Sequence, residues 1–208
     1  MENYKPNEVY KNLLLMLKYR NIKLTSKVLD NVTIATKLNH NEYIIIEGER
    51  DSSDVRGGAK VKIVLIAPGS SYANKSADFR KLLNNFDSSE KLELIFISEL
   101  PFTTYIVKQI IIEEKKSPNL FIEHYGYKIF LIETPKHVSV PKHTIATEQE
   151  IKDFCDYNYT SKDKFPKIRI NDPQAIWLGL RLEMCVKVER LSETTTISHI
   201  YRYCVPAS

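Results

Sequence analysis

The chain has 208 residues, of which 43% are hydrophobic and 27% charged, and its formal net charge is +4. This composition is typical of a folded globular protein with one large or two small domains, and it excludes a disordered or fibrous chain. Because the positive charge is dispersed and not gathered in a run of lysines and arginines, a strong stand-alone nucleic-acid binder is not expected.

The N-terminus and the cysteines indicate the compartment. The sequence MENYKPNEVYK lacks the apolar core of a signal peptide, and no apolar run approaches the roughly 20 residues that cross a bilayer. The three cysteines, Cys155, Cys185 and Cys204, are widely spaced and form no C-x-x-C pair, so we interpret them as small buried hydrophobic residues. We therefore expect a soluble protein in a reducing intracellular compartment.

The first two-thirds of the chain alternates predicted helices and strands. An amphipathic helix is predicted between Glu8 and Asn21, and a second from Thr25 or Ser26 through Val32. Four apolar runs then fit strands covered on both faces: YIIIE, VKIVLIAP, LELIFIS and LFIEHYGYKIFLIE. Between them lie two helical segments, SADFRKLLNNF with Ser76 as N-cap and TTYIVKQIIIEEKK after Pro101. The alternation predicts an N-terminal mixed-sheet α/β domain over residues 1–136.

The last third has a different character. Pro135 and Pro141 interrupt the earlier pattern, and VPKH reads as a proline-bound loop. Thr147 and Glu150 then form a capping box ahead of a short helix. Residues 184–189 and 198–205 alternate apolar with polar, which predicts two half-buried strands on either side of a turn at residues 192–194. Residues 137–208 are therefore predicted to form a small β-rich α+β module.

The stretch FPKIRINDPQAIWLGL contains an aspartate among hydrophobic residues. Asp172 is a favoured N-cap, Pro173 suits the first helical position, and Gly179 suits the position just past the end. Together they predict a helix of under two turns, Pro173 to Leu178, and make Asp172 a cap in preference to an acid or base. Trp177, the only tryptophan of the chain, lies within this predicted helix.

Catalytic and metal-binding patterns are weak. Ser192, His199 and Asp172 are the residue types of a hydrolytic triad, but no G-x-S-x-G elbow presents the serine. The histidines of the central region lie in one stretch without the i, i+4 spacing of a helical zinc site: His124, His137 and His143. No G-x-x-x-x-G-K-[ST] phosphate loop is present. We therefore predict no catalytic residue, no metal site and no cofactor.

One enzyme hypothesis stays open as the alternative. A mixed α/β domain can be the core of a metal-dependent nuclease, in which carboxylates hold a metal that activates water. Its marker here would be Glu113-Glu114-Lys115, although the charged end of a solvated helix gives the same pattern.

Taken as a whole, the C-terminal third resembles a known family. VPKHTIATEQEIKDF, FPKIRINDPQAIWLGL and VKVERLSETTTISHIYRY are similar, in order and spacing, to the fifth-largest subunit shared by the nuclear RNA polymerases of eukaryotes, whose archaeal counterpart is a small polymerase subunit made of this module alone. The resemblance is carried by these residues: Pro141, His143, Pro166, Ile168, Asp172, Pro173, Gly179, Val186, Lys187, Arg190, Ser192, Glu193, Thr194, Tyr201, Arg202 and Tyr203. The N-terminal part matches more loosely, by the order of its elements.

The chain also departs from that family's pattern. Glu183 stands where a glycine is usual in the turn before VKV, and Leu191 replaces a proline. Thr195-Thr196-Ile197 replaces a more typical Ala-Gly-Arg. These departures leave the expected fold unchanged but affect local turn geometry, and they suggest a distant lineage such as a large DNA virus that encodes its own polymerase.

The resemblance implies a non-catalytic subunit of a DNA-dependent RNA polymerase. Its C-terminal module would dock on the largest subunit, and its N-terminal domain would form part of the lower jaw, in weak contact with downstream duplex DNA. No membrane or small-molecule partner is expected. The location would be the nucleus for a cellular protein, and the virion or a cytoplasmic viral factory for a viral one.

Overall fold

The computed structural model describes residues 6–39, 42–86, 90–192 and 196–207. The chain divides into two compact units, the first ending at Ile132 and the second beginning at Glu133. The boundary predicted between residues 136 and 137 lies slightly further along the chain. Among the described helices, none is both long enough and apolar enough to cross a membrane.

The first unit is built on a five-stranded mixed sheet. Its strands follow each other across the sheet in chain order: β1 (Ile22–Leu24), β2 (Tyr43–Arg50), β3 (Ala59–Ile66), β4 (Leu92–Ser98) and β5 (Leu120–Gly126). The pairs β1–β2 and β2–β3 are antiparallel, whereas β3–β4 and β4–β5 are parallel. The described helices of this unit are α1 (Pro6–Tyr19), α2 (Asn31–Asn39), α3 (Ser76–Leu83) and α4 (Thr104–Lys116). The predicted mixed α/β class is confirmed.

The interior strand β4 is buried along its whole length, as its apolar run predicts. On one face, Leu94 and Phe96 pack in a cluster with Phe79 of α3 and Ile106 of α4. These two helices are the crossovers that parallel strands require. On the other face Arg20, which follows α1, forms an ion pair with Glu123 of β5. The sheet therefore has helical segments on both faces.

The second helix begins at Asn31 and not at Thr25 or Ser26. The side chain of Asp30 accepts a hydrogen bond from the backbone N–H three residues further on, at 2.7 Å, and so caps the helix there. The residues before it continue the sheet instead, since the Thr25 N–H donates to the Glu47 carbonyl at 2.9 Å. Strand β1 was not predicted from the sequence, because three residues are too few to show the periodicity of a strand.

Other predicted boundaries are off by one or two residues. Helix α1 ends at Tyr19, and Asn21, predicted as its last residue, has a left-handed φ of 54°. Helix α3 includes Ser76 as its first residue, and Lys75 occupies the N-cap position without a side-chain hydrogen bond. The apolar face predicted for α3 is confirmed as buried at three positions: Phe79, Leu82 and Leu83.

The run LFIEHYGYKIFLIE is a strand only in its first half. Strand β5 stops at Gly126, and Tyr127–Phe130 form a 3₁₀ turn. Tyr127 is fully buried, and its hydroxyl donates to the carbonyl of Ile66. This contact holds the chain in the turn. The second half of the apolar run is therefore apolar because it is buried in the 3₁₀ turn, and not because it continues the strand.

The second unit contains a four-stranded sheet in the order β6-β8-β9-β7. Its described elements are β6 (Lys142–Ile145), α5 (Glu148–Tyr157), β7 (Lys167–Arg169), α6 (Pro173–Leu178), β8 (Cys185–Ser192) and β9 (Thr196–Val205). Strand β8 pairs antiparallel with both β6 and β9, and β7 pairs parallel with β9. The predicted loop VPKH is wrong in its second half, because its last two residues begin β6. That strand forms only by pairing with β8, far along the chain.

Two small cores cover the two faces of this sheet. One packs Ala175 and Leu178 of α6 against Val186 and Val188 of β8. The other packs Ile151 of α5 with residues of β8 and β9 on the opposite face. Cys185 and Cys204 are buried and Cys155 is half-buried, so the cysteines are small apolar residues of these cores, as predicted. We name the two sides the α6 face and the α5 face.

A buried ion pair connects β2 to β4 in the first unit. Arg50 Nη1 lies 2.5 Å from Glu93 Oε1, and Arg50 Nη2 lies 2.6 Å from Glu93 Oε2. The two side chains are 1% and 3% exposed. Such a bidentate pair compensates the cost of burying two charges only while both partners are present.

Replacing Glu93 with Gln should therefore destabilise the first unit. The change leaves the Arg50 guanidinium buried without its counter-charge, which typically costs about 3–5 kcal/mol in the free energy of unfolding. Chemical denaturation of the full chain measures the loss. Lys60→Met is the matched control, because the Lys60–Glu90 pair is close, at 2.7 Å, but largely exposed and should be almost neutral. Equal losses for the two variants would contradict this assignment.

Candidate functional site

The register of β8 determines which predicted interface residues share a face. His143 lies opposite Val188, and Arg202 lies opposite Val186. Directly opposed residues of antiparallel strands project to the same side, and residues two apart on a strand do so too. His143, Arg190 and Arg202 therefore share the α6 face with the apolar core of the module. Three residues that can carry positive charge, one from each of three strands, are thus placed on one face by strand pairing.

A groove lies beside this face. The segment before β6 and the end of β8 enclose a cavity of ≈ 590 Å³, lined by Val138, Ser139, Val140, Pro141, Lys142, Glu189 and Arg190. Val138 is completely exposed, and Arg190 is exposed as well. Lys142 and Glu189 pair across the strands at 3.1 Å. The groove thus combines apolar side chains with a charged rim, which is the make-up of a protein-binding surface.

His143 is held in one orientation by the loop before it. Its Nδ1 lies 2.6 Å from the carbonyl oxygen of Pro141. Since a carbonyl only accepts, Nδ1 carries the proton and Nε2 is left as an acceptor. Burial lowers the pKa of His143, and the nearby Arg202 and Arg190 lower it further against the opposing effects of the Pro141 carbonyl and Asp172. At neutral pH His143 is therefore an uncharged, oriented ring on the face that also carries Arg190 and Arg202.

The cap predicted for Asp172 is confirmed. Its Oδ1 accepts a hydrogen bond from the Gln174 N–H at 2.8 Å, and Pro173 begins α6. Gly179 follows the helix with φ 64° and ψ 42°, a left-handed conformation that suits glycine. Trp177 is fully buried, so it belongs to the core of the module. The sequence FPKIRINDPQAIWLGL is thus a capped helix that carries a core tryptophan.

Removing this cap should weaken the second unit. Asp172→Ala leaves the first N–H groups of α6 without an acceptor and is expected to cost about 1 kcal/mol in the free energy of unfolding. Asp172→Asn is the matched control, because it keeps an acceptor oxygen and should retain most of the stability. Thermal denaturation of both variants makes the comparison. If Asp172→Ala melted like the unmodified chain, the capping role would be refuted.

Several predicted interface residues turn out to have internal contacts. Lys187 Nζ lies 2.8 Å from Glu150 Oε1, on the α5 face. The same Glu150 completes the predicted capping box with Thr147, which is confirmed. The ammonium group of Lys187, followed by the Thr147 backbone, lowers the pKa of the Glu150 carboxyl. Lys187, one of the residues that carry the family resemblance, therefore connects β8 to the start of α5.

Tyr201, Ile168 and Pro166 also contact their own module. The Tyr201 ring lies 4.6 Å from the Phe154 ring, between centroids, and is buried. Ile168 is buried in the core on the α6 face, and the Pro166 carbonyl accepts from the Tyr203 N–H at 2.9 Å. Ser192 is the last residue of β8, whereas Glu193 and Thr194, along with the departure at Thr195, lie outside the described residues.

Glu183 occupies a backbone conformation that favours glycine. Its φ is 68°, in the turn between α6 and β8, and its N–H donates to the Cys204 carbonyl at 3.1 Å. The turn thus keeps the left-handed geometry that the usual glycine would adopt, even though this chain carries a glutamate. This departure costs conformational energy without changing the path of the chain.

Glu183→Gly should therefore be neutral or stabilising. Relief of the left-handed strain is worth roughly 1–2 kcal/mol, and the greater freedom of glycine in the unfolded chain offsets about 0.5–1 kcal/mol of it. The neighbouring exposed Leu182 lacks a positive φ, so Leu182→Gly is the control and should lose stability. Denaturation midpoints report both changes. A clear loss for Glu183→Gly would mean that the glutamate side chain makes a contact the turn needs.

The residues of the catalytic alternatives have other partners. Glu113 pairs with Lys116 at 2.8 Å, and Glu114 Oε1 accepts from the Ile122 N–H at 2.8 Å. Asp172 caps α6, whereas His199 lies opposite Glu189 on the α5 face, so the suggested triad is not assembled. Within the described part of the chain, no group of three or more His, Cys, Asp or Glu side chains is arranged to hold a metal ion.

Comparisons with known proteins agree with the organisation of the second unit. Residues 132–204 match the family described as RNA polymerase Rpb5, C-terminal domain. The match begins at the residue where the first compact unit ends. It therefore covers the second unit almost completely.

Relatives extend the comparison to more of the chain. The chain is 31% identical over 147 residues to the DNA-directed RNA polymerase RPB5 homolog of African swine fever virus (strain Badajoz 1971 Vero-adapted), which covers 69% of this chain and 72% of the relative. Identity to the DNA-directed RNA polymerases I, II, and III subunit rpabc1 of Dictyostelium discoideum is 30%, over 49% of this chain and 52% of that protein. DNA-directed RNA polymerase subunit Rpo5 of Methanosarcina barkeri is 35% identical over 33% of this chain and 88% of its own.

These similarities establish the class, a subunit of a multisubunit RNA polymerase. The chain belongs to the Rpb5 family of DNA-directed RNA polymerase subunits, and as a member of that family it is a non-catalytic subunit. The viral relative matches a larger share of the chain than the amoebal or archaeal one, which supports the predicted viral lineage.

Proposed function

We propose that the second unit docks on the largest polymerase subunit through the α6-face residues His143, Arg190 and Arg202 and the groove beside them. The observation that carries this proposal is the convergence of these residues on one side of the sheet. Lys187, Tyr201 and Ile168 have internal partners, whereas Arg190 is exposed at the rim of the groove. Arginines at the edge of an apolar groove commonly contribute much of the binding energy at protein interfaces.

The first unit would serve beside the DNA. We propose that it forms part of the lower jaw and makes a weak, auxiliary contact with the downstream duplex. The net charge of +4 is modest and dispersed, which suits a contact that depends on other subunits to hold the nucleic acid. For a virus-encoded subunit, the corresponding location is the virion or a cytoplasmic viral factory.

Charge reversal on the α6 face tests the docking surface. The double variant Arg190→Glu with Arg202→Glu should weaken association with the largest subunit roughly tenfold or more, because two cations of the proposed interface become anions. Co-expression with a tagged largest subunit, followed by size-exclusion chromatography, measures the loss.

Lys152→Glu is the control for this experiment. Lys152 is an exposed cation of the same unit, on α5, so its reversal changes the net charge without touching the α6 face. It should assemble normally, and thermal melting should show all variants folded. Normal assembly of the double variant would exclude this face as the docking surface, while the chain's membership of the family would stand.

A further inference from the structure

We infer that the outer face of helices α3 and α4 is a docking surface for an acidic amphipathic segment of a protein partner. We call this surface, which consists of the groove between the two helices and the exposed side of α4, the α3–α4 face. It lies entirely within the first unit and shares no residue with the docking surface proposed for the second unit. It also goes beyond the jaw role proposed for the first unit, since its ligand is a protein and not a duplex.

A groove runs between the two helices, which pack side by side in one hydrophobic core. Its volume is ≈ 260 Å³, and its lining includes Arg80 and Leu83 of α3 and Ile112 and Lys116 of α4. Leu83 is buried, whereas Ile112 is 43% exposed. The groove thus combines apolar side chains with a cation from each helix, which is the make-up of a site for an acidic and partly apolar partner.

Arg80 is held in the groove by a residue of α4. Its Nε lies 3.0 Å and its Nη2 lies 2.6 Å from Oε1 of Gln109, which is itself buried. The Arg80 side chain is nevertheless exposed. A guanidinium carries five N–H donors and binds a carboxylate through two of them. Because Gln109 already orients the guanidinium, Arg80 loses less freedom when it binds a carboxylate and is suited to anchor an acidic residue.

The exposed side of α4 carries apolar residues. Tyr105 is 58% exposed, Ile111 46% and Ile112 43%. The opposite side of the same helix is buried through Ile106 and Ile110. Since the solvent side of a surface helix is normally polar, these exposed side chains are apolar area that the packing of the unit does not use.

Lysines alternate with these apolar residues along α4. Lys108 lies three residues after Tyr105 and four before Ile112, and Lys115 lies three residues after Ile112. Residues at these spacings follow one another along one side of a helix. Lys108 and Lys115 are both exposed. The exposed stripe of α4 therefore alternates apolar and basic side chains, and its complement is a stripe of apolar and acidic ones.

Positive charge that is dispersed in the sequence is gathered on these two helices. Residues 74–86 and 103–117, which comprise α3 and α4 with the residues beside them, carry +3 of the chain's net charge of +4. Their six basic and three acidic residues are Lys75, Arg80, Lys81, Lys108, Lys115 and Lys116, and Asp78, Glu113 and Glu114. Two of the carboxylates have partners within the unit, since Glu113 pairs with Lys116 at 2.8 Å and Glu114 accepts from the Ile122 N–H at 2.8 Å. The surface therefore attracts an anionic partner.

The exposed isoleucines decide which anionic partner fits. Phosphates attract lysines as carboxylates do, but a duplex backbone offers no apolar surface that would cover Ile111 and Ile112. An acidic amphipathic helix carries both kinds of group at matching spacings, as helices that bind in grooves do. A second copy of this chain would place cations against cations, which disfavours self-association.

Binding of a designed peptide to the full chain tests the inference. The probe is a fluorescent peptide of about 15 residues, which as a helix is close to the length of α4. It carries leucine or phenylalanine at every third or fourth position and aspartate or glutamate between them. We compare it with a peptide whose acidic residues are lysines, a peptide whose apolar residues are serines, and duplex DNA of about 20 base pairs. Anisotropy should show the acidic amphipathic peptide binding about tenfold or more tightly than either altered peptide.

Two variants separate the charged contribution from the apolar one. Lys108→Glu with Lys115→Glu should weaken binding of the acidic peptide about tenfold or more, because two attractive charges become repulsive. Ile112→Ser should weaken it about tenfold while leaving any duplex binding unchanged, since the isoleucine contacts only the peptide. Lys11→Glu with Lys23→Glu is the matched control, because these are exposed lysines of α1 and β1 and the change in net charge is the same. Thermal melting should show all of the variants folded.

The remaining outcomes would overturn the inference. Equal binding of the acidic and the lysine-containing peptide, or unaltered peptide binding by both variants, would exclude the α3–α4 face as an acidic-segment site. Loss of duplex binding alone in the lysine variant, with Ile112→Ser silent, would assign the face to the proposed contact with DNA. Assembly with the largest subunit should be normal for every variant, because that contact is proposed for the second unit. Failure of this inference therefore leaves the proposed docking surface untouched.

Discussion

The pairing of β8 on both of its edges is the constraint on which the second unit depends. Its neighbours β6 and β9 are both antiparallel to it, and helices α5 and α6 cover its two faces. Because side chains alternate along a strand, a shift of one residue would exchange the two faces. Lys187 would then lose Glu150, and Arg190 would leave the side on which His143 and Arg202 lie. The register is thus the common origin of the module's stability and of the surface proposed to dock.

The first unit depends on a different interaction, the pairing of charged side chains that are buried. Arg20, Arg50 and Arg56 are at most 4% exposed, and their partners Glu123, Glu93 and Asp54 lie on β5, on β4 and in the loop after β2. Buried pairs of this kind are costly to form and more costly to break. The Arg20–Glu123 and Arg50–Glu93 pairs tie the end of α1 and strand β2 to strands β5 and β4, whereas Arg56 and Asp54 pair within the β2–β3 connection.

The features predicted best from the sequence are those that depend on residues close together in the chain. The cap of α6 by Asp172 and the capping box of Thr147 with Glu150 appear in the structure as expected, because each depends on residues only a few positions apart. The short strands β1, β6 and β7 were missed, since three or four residues acquire strand structure only from distant partners. For the same reason no pattern indicated that Glu93, inside an apolar run, pairs with Arg50. At the candidate site, resemblance selected His143, Arg190 and Arg202, but only the pairing register distinguishes them from Lys187 and Tyr201, which have internal partners.

The central claim is that this chain is a stoichiometric member of a polymerase, with no activity of its own. Affinity purification of the tagged chain from cells or virions engaged in transcription, followed by quantitative mass spectrometry, tests it most directly. The account predicts recovery of the two largest polymerase subunits in equal proportion to the chain. Recovery of the chain alone from actively transcribing material would contradict it.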